Sequence, residues 1–164
     1  LRGACVAATV SSPAKARIAT DFGAELPINY REMNFADEAL GWSGGLQVAF
    51  DNAGAEVMQS TYRAMAPYGR VVTLMGVAAD DAELNAYNLN LTLHNVMMLT
   101  PMWKGLTERL KAQAAIVSKA LQLVADGKLK ILLSDSFALA DADKAHAHLE
   151  SGQAVGKVTL RING

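Results

Sequence analysis

Ser11, Ser12 and Lys15 place two hydroxyls and an ammonium directly after the apolar run Cys5 to Val10. Hydroxyls at the end of a strand and a lysine on the first turn of the next helix suit one chemical target. That target is the 2′-phosphate on the adenosine ribose of NADP. Ser12 followed by Pro13 is also an ordinary helix start, which would leave Lys15 as a solvated cation, and that alternative stays open. No glycine-rich phosphate turn precedes the run. The segment therefore reads as the second strand of a dinucleotide fold without its first.

In an open parallel sheet, ligands bind beyond the carboxyl ends of the strands, so the residues just after each strand are the informative ones. After the second run comes Asn29-Tyr30-Arg31-Glu32, whose Tyr30 could lie against the same ribose phosphate or the adenine. No acidic residue stands at the end of the first run to hold a ribose 2′-hydroxyl, which favours NADP over NAD. Asp51-Asn52-Ala53-Gly54 follows the next run and faces the expected cleft, although such residues favour turns without any ligand. Met75-Gly76-Val77 follows a further strand. Its glycine would let backbone approach a dinucleotide closely or would serve only a turn.

Other chemistries find little support. His146 and His148, two apart on an expected helix, point in nearly opposite directions and cannot share a metal. His94 lies alone in an apolar stretch, as a core or interface histidine does. No nucleophile triad, paired-carboxylate motif or P-loop occurs. Gly41, Gly44 and Gly45 precede a strand instead of following one, and read as loop glycines.

The elements that must position these residues alternate. Strands are expected at Cys5 to Val10, Leu26 to Ile28, Gln47 to Phe50, Arg70 to Met75 and Val96 to Leu99, apolar enough for burial on both faces. Helices are expected at Pro13 to Phe22, Phe35 to Trp42 and Glu56 to Ala66, with Gly23 and Gly69 at two exits. A long helix, Leu106 to Ala125, shows a core-packing stripe of Leu106, Leu110, Val117, Leu121 and Val124. A strand near Ser134 to Leu139, a helix near Ala142 to Glu150 and a strand from Lys157 to Ile162 close the chain. This alternation predicts an α/β fold, a Rossmann-type doubly wound parallel sheet with right-handed crossovers, occupying residues 1–164 as one partial domain.

At 164 residues the chain is the size of one domain, and its 15 basic and 16 acidic side chains give a formal charge of -1. Without like-charge runs, neither nucleic acid nor an anionic membrane is an expected partner. The lone Cys5 can make no internal disulfide, which suits a reducing, cytoplasmic setting. Neither a membrane span nor a signal peptide is legible. Leu1-Arg2-Gly3-Ala4 reads as the end of a helix turning into a strand, so a processed or cut start is expected.

In order along the chain, Thr9-Val10-Ser11-Ser12-Pro13-Ala14-Lys15, Gly23-Ala24 before Ile28-Asn29-Tyr30-Arg31-Glu32, Phe50-Asp51-Asn52, Ala66-Pro67-Tyr68-Gly69-Arg70 and Leu149-Glu150-Ser151-Gly152 leading to Val155-Gly156-Lys157-Val158 carry a resemblance. Over nearly its whole length the sequence resembles the cofactor-binding half of medium-chain dehydrogenases/reductases, in the quinone oxidoreductase branch of the zinc-type alcohol dehydrogenases. The resemblance implies NADPH, with Lys15 and Tyr30 near the 2′-phosphate, Ser11 and Ser12 near the ribose, and Asn52 and Gly76 nearer the middle of the cofactor; Met75, beside Gly76 at its strand end, is a further cofactor-binding candidate. It implies hydride transfer to a quinone, enone or related carbonyl acceptor, no metal, and a homodimer joined near Val96 to Leu99.

It also implies that a catalytic N-terminal domain, and the strand with the glycine fingerprint, would precede Leu1. In the expected strand order 3-2-1-4-5-6 that first strand separates the two halves, so a gap is expected between them. Two departures stand out: the loop after Gly45 is short, and Gln153 occupies a place where many relatives carry a lysine. The chain alone is expected to be inactive as an enzyme. A non-catalytic nucleotide-binding or self-association module is the competing expectation.

Overall fold

A computed structural model describes residues 3–76 and 85–162. Val77, and the Leu1-Arg2 half of the expected helix end, lie outside the described residues. The chain divides into two compact units, Arg2–Thr107 and Glu108–Gly164.

The first unit alternates strictly. β1 (Ala7–Val10) leads to α1 (Pro13–Asp21), β2 (Leu26–Asn29), α2 (Phe35–Ser43), β3 (Leu46–Asp51), α3 (Ala55–Arg63) and β4 (Met65–Thr73). The short α4 (Asn85–Asn88), β5 (Thr92–Asn95) and α5 (Thr100–Trp103) follow. β1 pairs parallel with β2, and β3, β4 and β5 form a parallel sheet in that order. The strand order is therefore β2-β1, an interruption, then β3-β4-β5, as the expected gap requires. Helix α2 contacts both β2 and β3 and so spans the interruption.

Two small cores hold this unit. Ile28, Ala36, Ala39 and Ala64 are buried together, with Ala7, Leu26, Phe35 and Leu46 packed around them. Met58, Tyr62, Met65 and Val71 form the second, under β4 and α3. Leu46 touches both. Burial of a side chain of this size contributes ~1.5–3 kcal/mol.

Several expectations need correction here. The third helix stops at Arg63, not Ala66, because Met65 already pairs with Leu46 and Pro67 has no N–H to continue a helix. Gly69 is not a helix exit. It lies within β4, where an added Cβ would sit 2.9 Å from the carbonyl oxygen of Ala66 and 3.1 Å from that of Leu46. Tyr68, with φ 62°, and Gly69 make the irregular stretch over which the β3–β4 register jumps.

The fifth strand is Thr92–Asn95, not Val96 to Leu99. The ladder ends where the Val96 N–H donates to the Thr73 carbonyl, and Pro101 then opens α5. β5 is a sheet edge and all four of its residues are exposed, so polar residues suit it better than the apolar run beyond. His94 is on this exposed strand, which removes the core alternative for it. Nor are all strands buried on both faces: Val48 and Phe50 of β3 are 60% and 63% exposed, because β3 has no neighbour on its β1 side.

The second unit contains α6 (Thr107–Ala125) from its second residue on, β6 (Leu133–Ala138), a single 3₁₀ turn (Leu139–Asp141), α7 (Ala142–Glu150) and β7 (Lys157–Arg161). β6 and β7 pair parallel, with α7 as their crossover. The stripe on α6 is not core: no α6 residue is buried, and Val117 and Leu121 are 58% and 60% exposed. A two-stranded pair already covered by α7 offers too little surface to bury a helix of 19 residues. Among the described residues no helix is long and apolar enough to cross a membrane.

Candidate functional site

The carboxyl ends of β1, β2, β3 and β4 all lie in the first unit, and each carries sequence candidates. At the end of β1, Ser12 is the N-cap of α1: its backbone is extended and its Oγ accepts a hydrogen bond from the Lys15 N–H at 3.3 Å. The capping alternative is thus realised at Ser12. Its hydroxyl proton and the hydroxyl of Ser11 remain as donors, and Lys15 is half-buried with its ammonium on the same first turn.

Tyr30 continues the end of β2 by one residue, its N–H donating to the Val10 carbonyl at 3.1 Å. Its side chain is 51% exposed. The turn beneath it is fixed by Asn29, which is buried. Asn29 Oδ1 accepts from the Arg31 N–H at 3.3 Å, and its carbonyl accepts from the Glu32 and Met33 N–H groups, both at 3.0 Å. A phenol held at this point stands beside the end of β1.

The turns after β3 and β4 are tied together by Asp51, the first residue of the Asp51-Asn52-Ala53-Gly54 turn. Asp51 is 5% exposed, and its carboxylate accepts from the Ala53 N–H at 2.9 Å, the Gly54 N–H at 3.2 Å and Thr73 Oγ1 at 3.0 Å. Thr73 Oγ1 accepts in turn from the Met75 N–H at 3.1 Å. Gly54 has φ 100°, and a Cβ there would sit 3.2 Å from Met75 Cβ, so the two turns approach as closely as a glycine allows. The result holds Asn52, Met75 and Gly76, all exposed, on adjacent strand ends. A sequence signal exists for the Asp-to-Gly turn, but none for the Thr73 partner.

A cavity of about 1000 Å³ opens between β1 and β3. Tyr30 and Asn52 line it, together with Asp51 and Ala53 at its carboxyl-end mouth. Ser11, Ser12, Lys15, Met75 and Gly76 are not among its lining residues. The structure therefore brings Tyr30 and Asn52 into one cleft and leaves the others on neighbouring strand ends.

Two further side-chain pairs lie elsewhere. His148 Nε2 is 3.0 Å from Asp135 Oδ2 in the second unit, with the Phe137 ring 6.0 Å away. Sequence spacing relates His148 to His146 alone and gives no sign of Asp135. Cys5 is exposed just before β1, and its thiol pKa is raised by Glu25, whose carboxylate takes the thiol's hydrogen bond and repels the thiolate. Gln153 is exposed, its N–H donating to Ser151 Oγ at 3.2 Å. Among the described residues no three His, Cys, Asp or Glu side chains gather as a metal donor set.

The model of one protein family, described as zinc-binding dehydrogenase, matches residues 22–160. A quinone oxidoreductase from Pseudomonas aeruginosa is 28% identical over 156 residues, covering 93% of this chain and 47% of that protein. The chain thus spans about half the length of the curated relatives it matches. Among solved structures, an NAD-dependent alcohol dehydrogenase is 25% identical with a TM-score of 0.81, over 98% of this chain and 45% of its own. A mycobacterial protein complexed with NADPH has a TM-score of 0.76 at 24% identity, over 95% and 48% of the two chains. That last likeness speaks to the fold alone.

Proposed function

The chain belongs to the zinc-binding dehydrogenase family, within the medium-chain dehydrogenases/reductases, and from that premise we propose that it is the NADPH-binding part of an oxidoreductase. The observation that supports the proposal is that Ser11, Ser12, Lys15, Tyr30, Asn52, Met75 and Gly76 stand at or just beyond the carboxyl ends of four strands of one unit, with Tyr30 and Asn52 lining one cleft. This is where open α/β sheets bind dinucleotides.

The residues suit the adenosine end of the cofactor. Lys15 supplies a positive charge for a ribose 2′-phosphate, Ser11 and Ser12 supply hydroxyl protons, and the exposed Tyr30 supplies a ring face and a phenol. No carboxylate stands at the end of β1 to repel that phosphate. Charge-assisted contacts of this kind are the strong ones, each ~1.5–3 kcal/mol. Asn52 and the Met75–Gly76 backbone face the middle of the dinucleotide. The described residues offer no donor set that fits zinc, despite the family's description, so no step is assigned to a metal.

Bound NADPH supplies a hydride, and in the parent enzyme we assign the acceptor to the quinones, enones and related carbonyls. These 164 residues bind and orient the cofactor and do not catalyse alone. The proposed setting is the cytoplasm, and the proposed assembly a homodimer through the exposed segment Val96 to Leu99. That exposed edge equally serves the second reading, a non-catalytic self-association module.

Titration of the chain with NADPH, followed by nucleotide fluorescence, tests the proposal. Saturable binding tighter than for NADH is expected. Signals no larger than buffer controls would remove the cofactor assignment from this chain.

A further inference from the structure

Asp51 is a buried carboxylate with hydrogen bonds but no cation. It accepts from the Ala53 N–H at 2.9 Å, the Gly54 N–H at 3.2 Å and the Thr73 hydroxyl at 3.0 Å. Among the described residues no lysine, arginine or histidine forms an ion pair with it. The stretches that follow β3 and β4 hold none either, from Asn52 to Tyr62 and from Leu74 to Leu93. Neutral donors offset the burial of a carboxylate only in part, so its negative charge is not cancelled locally. Asp51 also lines the mouth of the cleft, beside Asn52. Its field reaches whatever occupies that mouth, because a low-dielectric surrounding screens it weakly.

The β1 side of the same unit has the opposite sign. Between Val10 and Asp21 stand Lys15 and Arg17 and no carboxylate. An open α/β sheet binds a dinucleotide across its two halves, one mononucleotide on each. With the 2′-phosphate assigned to Lys15, the nicotinamide half falls to the side of β3 and β4. A nicotinamide ring is neutral when reduced and carries one positive charge when oxidised.

We propose that Asp51 is a charge-selecting residue, whose carboxylate favours the cationic ring of the oxidised nucleotide over the neutral ring of the reduced one. The assignment rests on the nucleotide reading of the site and adds the residue that tells its two redox states apart. Asn52 and the Met75–Gly76 backbone are uncharged and supply no such preference. Thr73 tempers the effect, because its hydroxyl donates to Asp51 Oδ2 and draws off part of the charge. The two functions of the pair separate on substitution: a tie between turns acts on both nucleotides alike, whereas a charge acts on their ratio.

Calorimetric titration of the full chain with NADP⁺, NADPH and adenosine 2′,5′-bisphosphate tests it. The bisphosphate carries the 2′-phosphate and no nicotinamide, so it reports the adenosine end alone. Asp51→Asn keeps the shape of the side chain and an acceptor oxygen but removes the charge. It is expected to weaken NADP⁺ relative to NADPH by about fivefold or more and to leave the bisphosphate unchanged. Thr73→Val keeps the charge and strips one donor from it, so the preference for NADP⁺ over NADPH should rise, by about twofold. If Asp51→Asn does not fold, Thr73→Val decides by the same ratio. A ratio unchanged in the variants, with the bisphosphate still bound, would overturn the charge role of Asp51 and leave the nucleotide reading standing. No binding of the bisphosphate by the parent chain would overturn both.

Discussion

Thr73 donates its hydroxyl proton to the Asp51 carboxylate at 3.0 Å, and both side chains are buried, at 1% and 5% exposure. The bond joins the end of β4 to the end of β3 and fixes the relative position of the two turns that present Asn52 and Gly76. Removing either partner leaves buried polar groups unsatisfied. Asp51→Ala should cost ~3 kcal/mol, and Thr73→Val ~1–2 kcal/mol, whereas Thr73→Ser, which keeps the hydroxyl, should cost less than Thr73→Val. Urea denaturation of the variants measures the order. If Thr73→Val were as stable as the parent chain, the bond would hold nothing together.

The alternation of strands and helices was legible because most strands are short apolar runs, and α1 opens on the start signal Ser12-Pro13. The strand ends were legible for the same reason, and Tyr30 and Asn52 stand at two of them. What stayed hidden depends on partners distant in sequence. Thr73 lies 22 residues from Asp51, and no local pattern announces their bond. Thr92–Asn95 escaped because an edge strand has no need of apolar residues, while Val96 to Leu99 imitated one. The α6 stripe misled because periodicity reports which residues could be covered, not whether a surface exists to cover them.

The apolar residues beyond β5 carry a prediction about assembly. Met97 is 54% exposed and Leu99 44% exposed, next to an unpaired sheet edge. In the proposed homodimer, a second copy related by a two-fold axis would cover these apolar side chains. Light scattering should then give about twice the 17.4 kDa mass of one chain, and Met97→Lys with Leu99→Lys should return it to 17.4 kDa. A parent chain already at the single-chain mass would remove the dimer.

If Lys15 serves the proposed cofactor site, it should separate NADPH from NADH. If its ammonium meets a 2′-phosphate, Lys15→Ala should weaken NADPH binding about tenfold or more, the loss of one charge-assisted contact, and leave NADH nearly unchanged. Lys15→Arg should retain most of the NADPH affinity, since a guanidinium serves phosphate as well. Fluorescence titration of the three proteins with both nucleotides gives the comparison. Equal losses for the two nucleotides would mean that Lys15 acts only through the first turn of α1.

Cys5 offers a test of the surface beside β1 that needs no ligand. Its thiol pKa is raised first by the hydrogen bond to Glu25, then by that carboxylate's charge. The thiolate, not the thiol, is the reactive form, so a raised pKa leaves less of it at any pH below the titration. Alkylation at about pH 8 should therefore be slower than for cysteine in an unfolded peptide, whose pKa is about 8.5. Glu25→Gln removes the charge and should speed the reaction, with its pH–rate curve displaced to lower pH. Because the folded-state pKa is the higher one, the stabilising effect of the pair is complete below the unfolded value and is lost as pH rises through the folded value. An unchanged curve in Glu25→Gln would show that Glu25 does not hold the thiol proton.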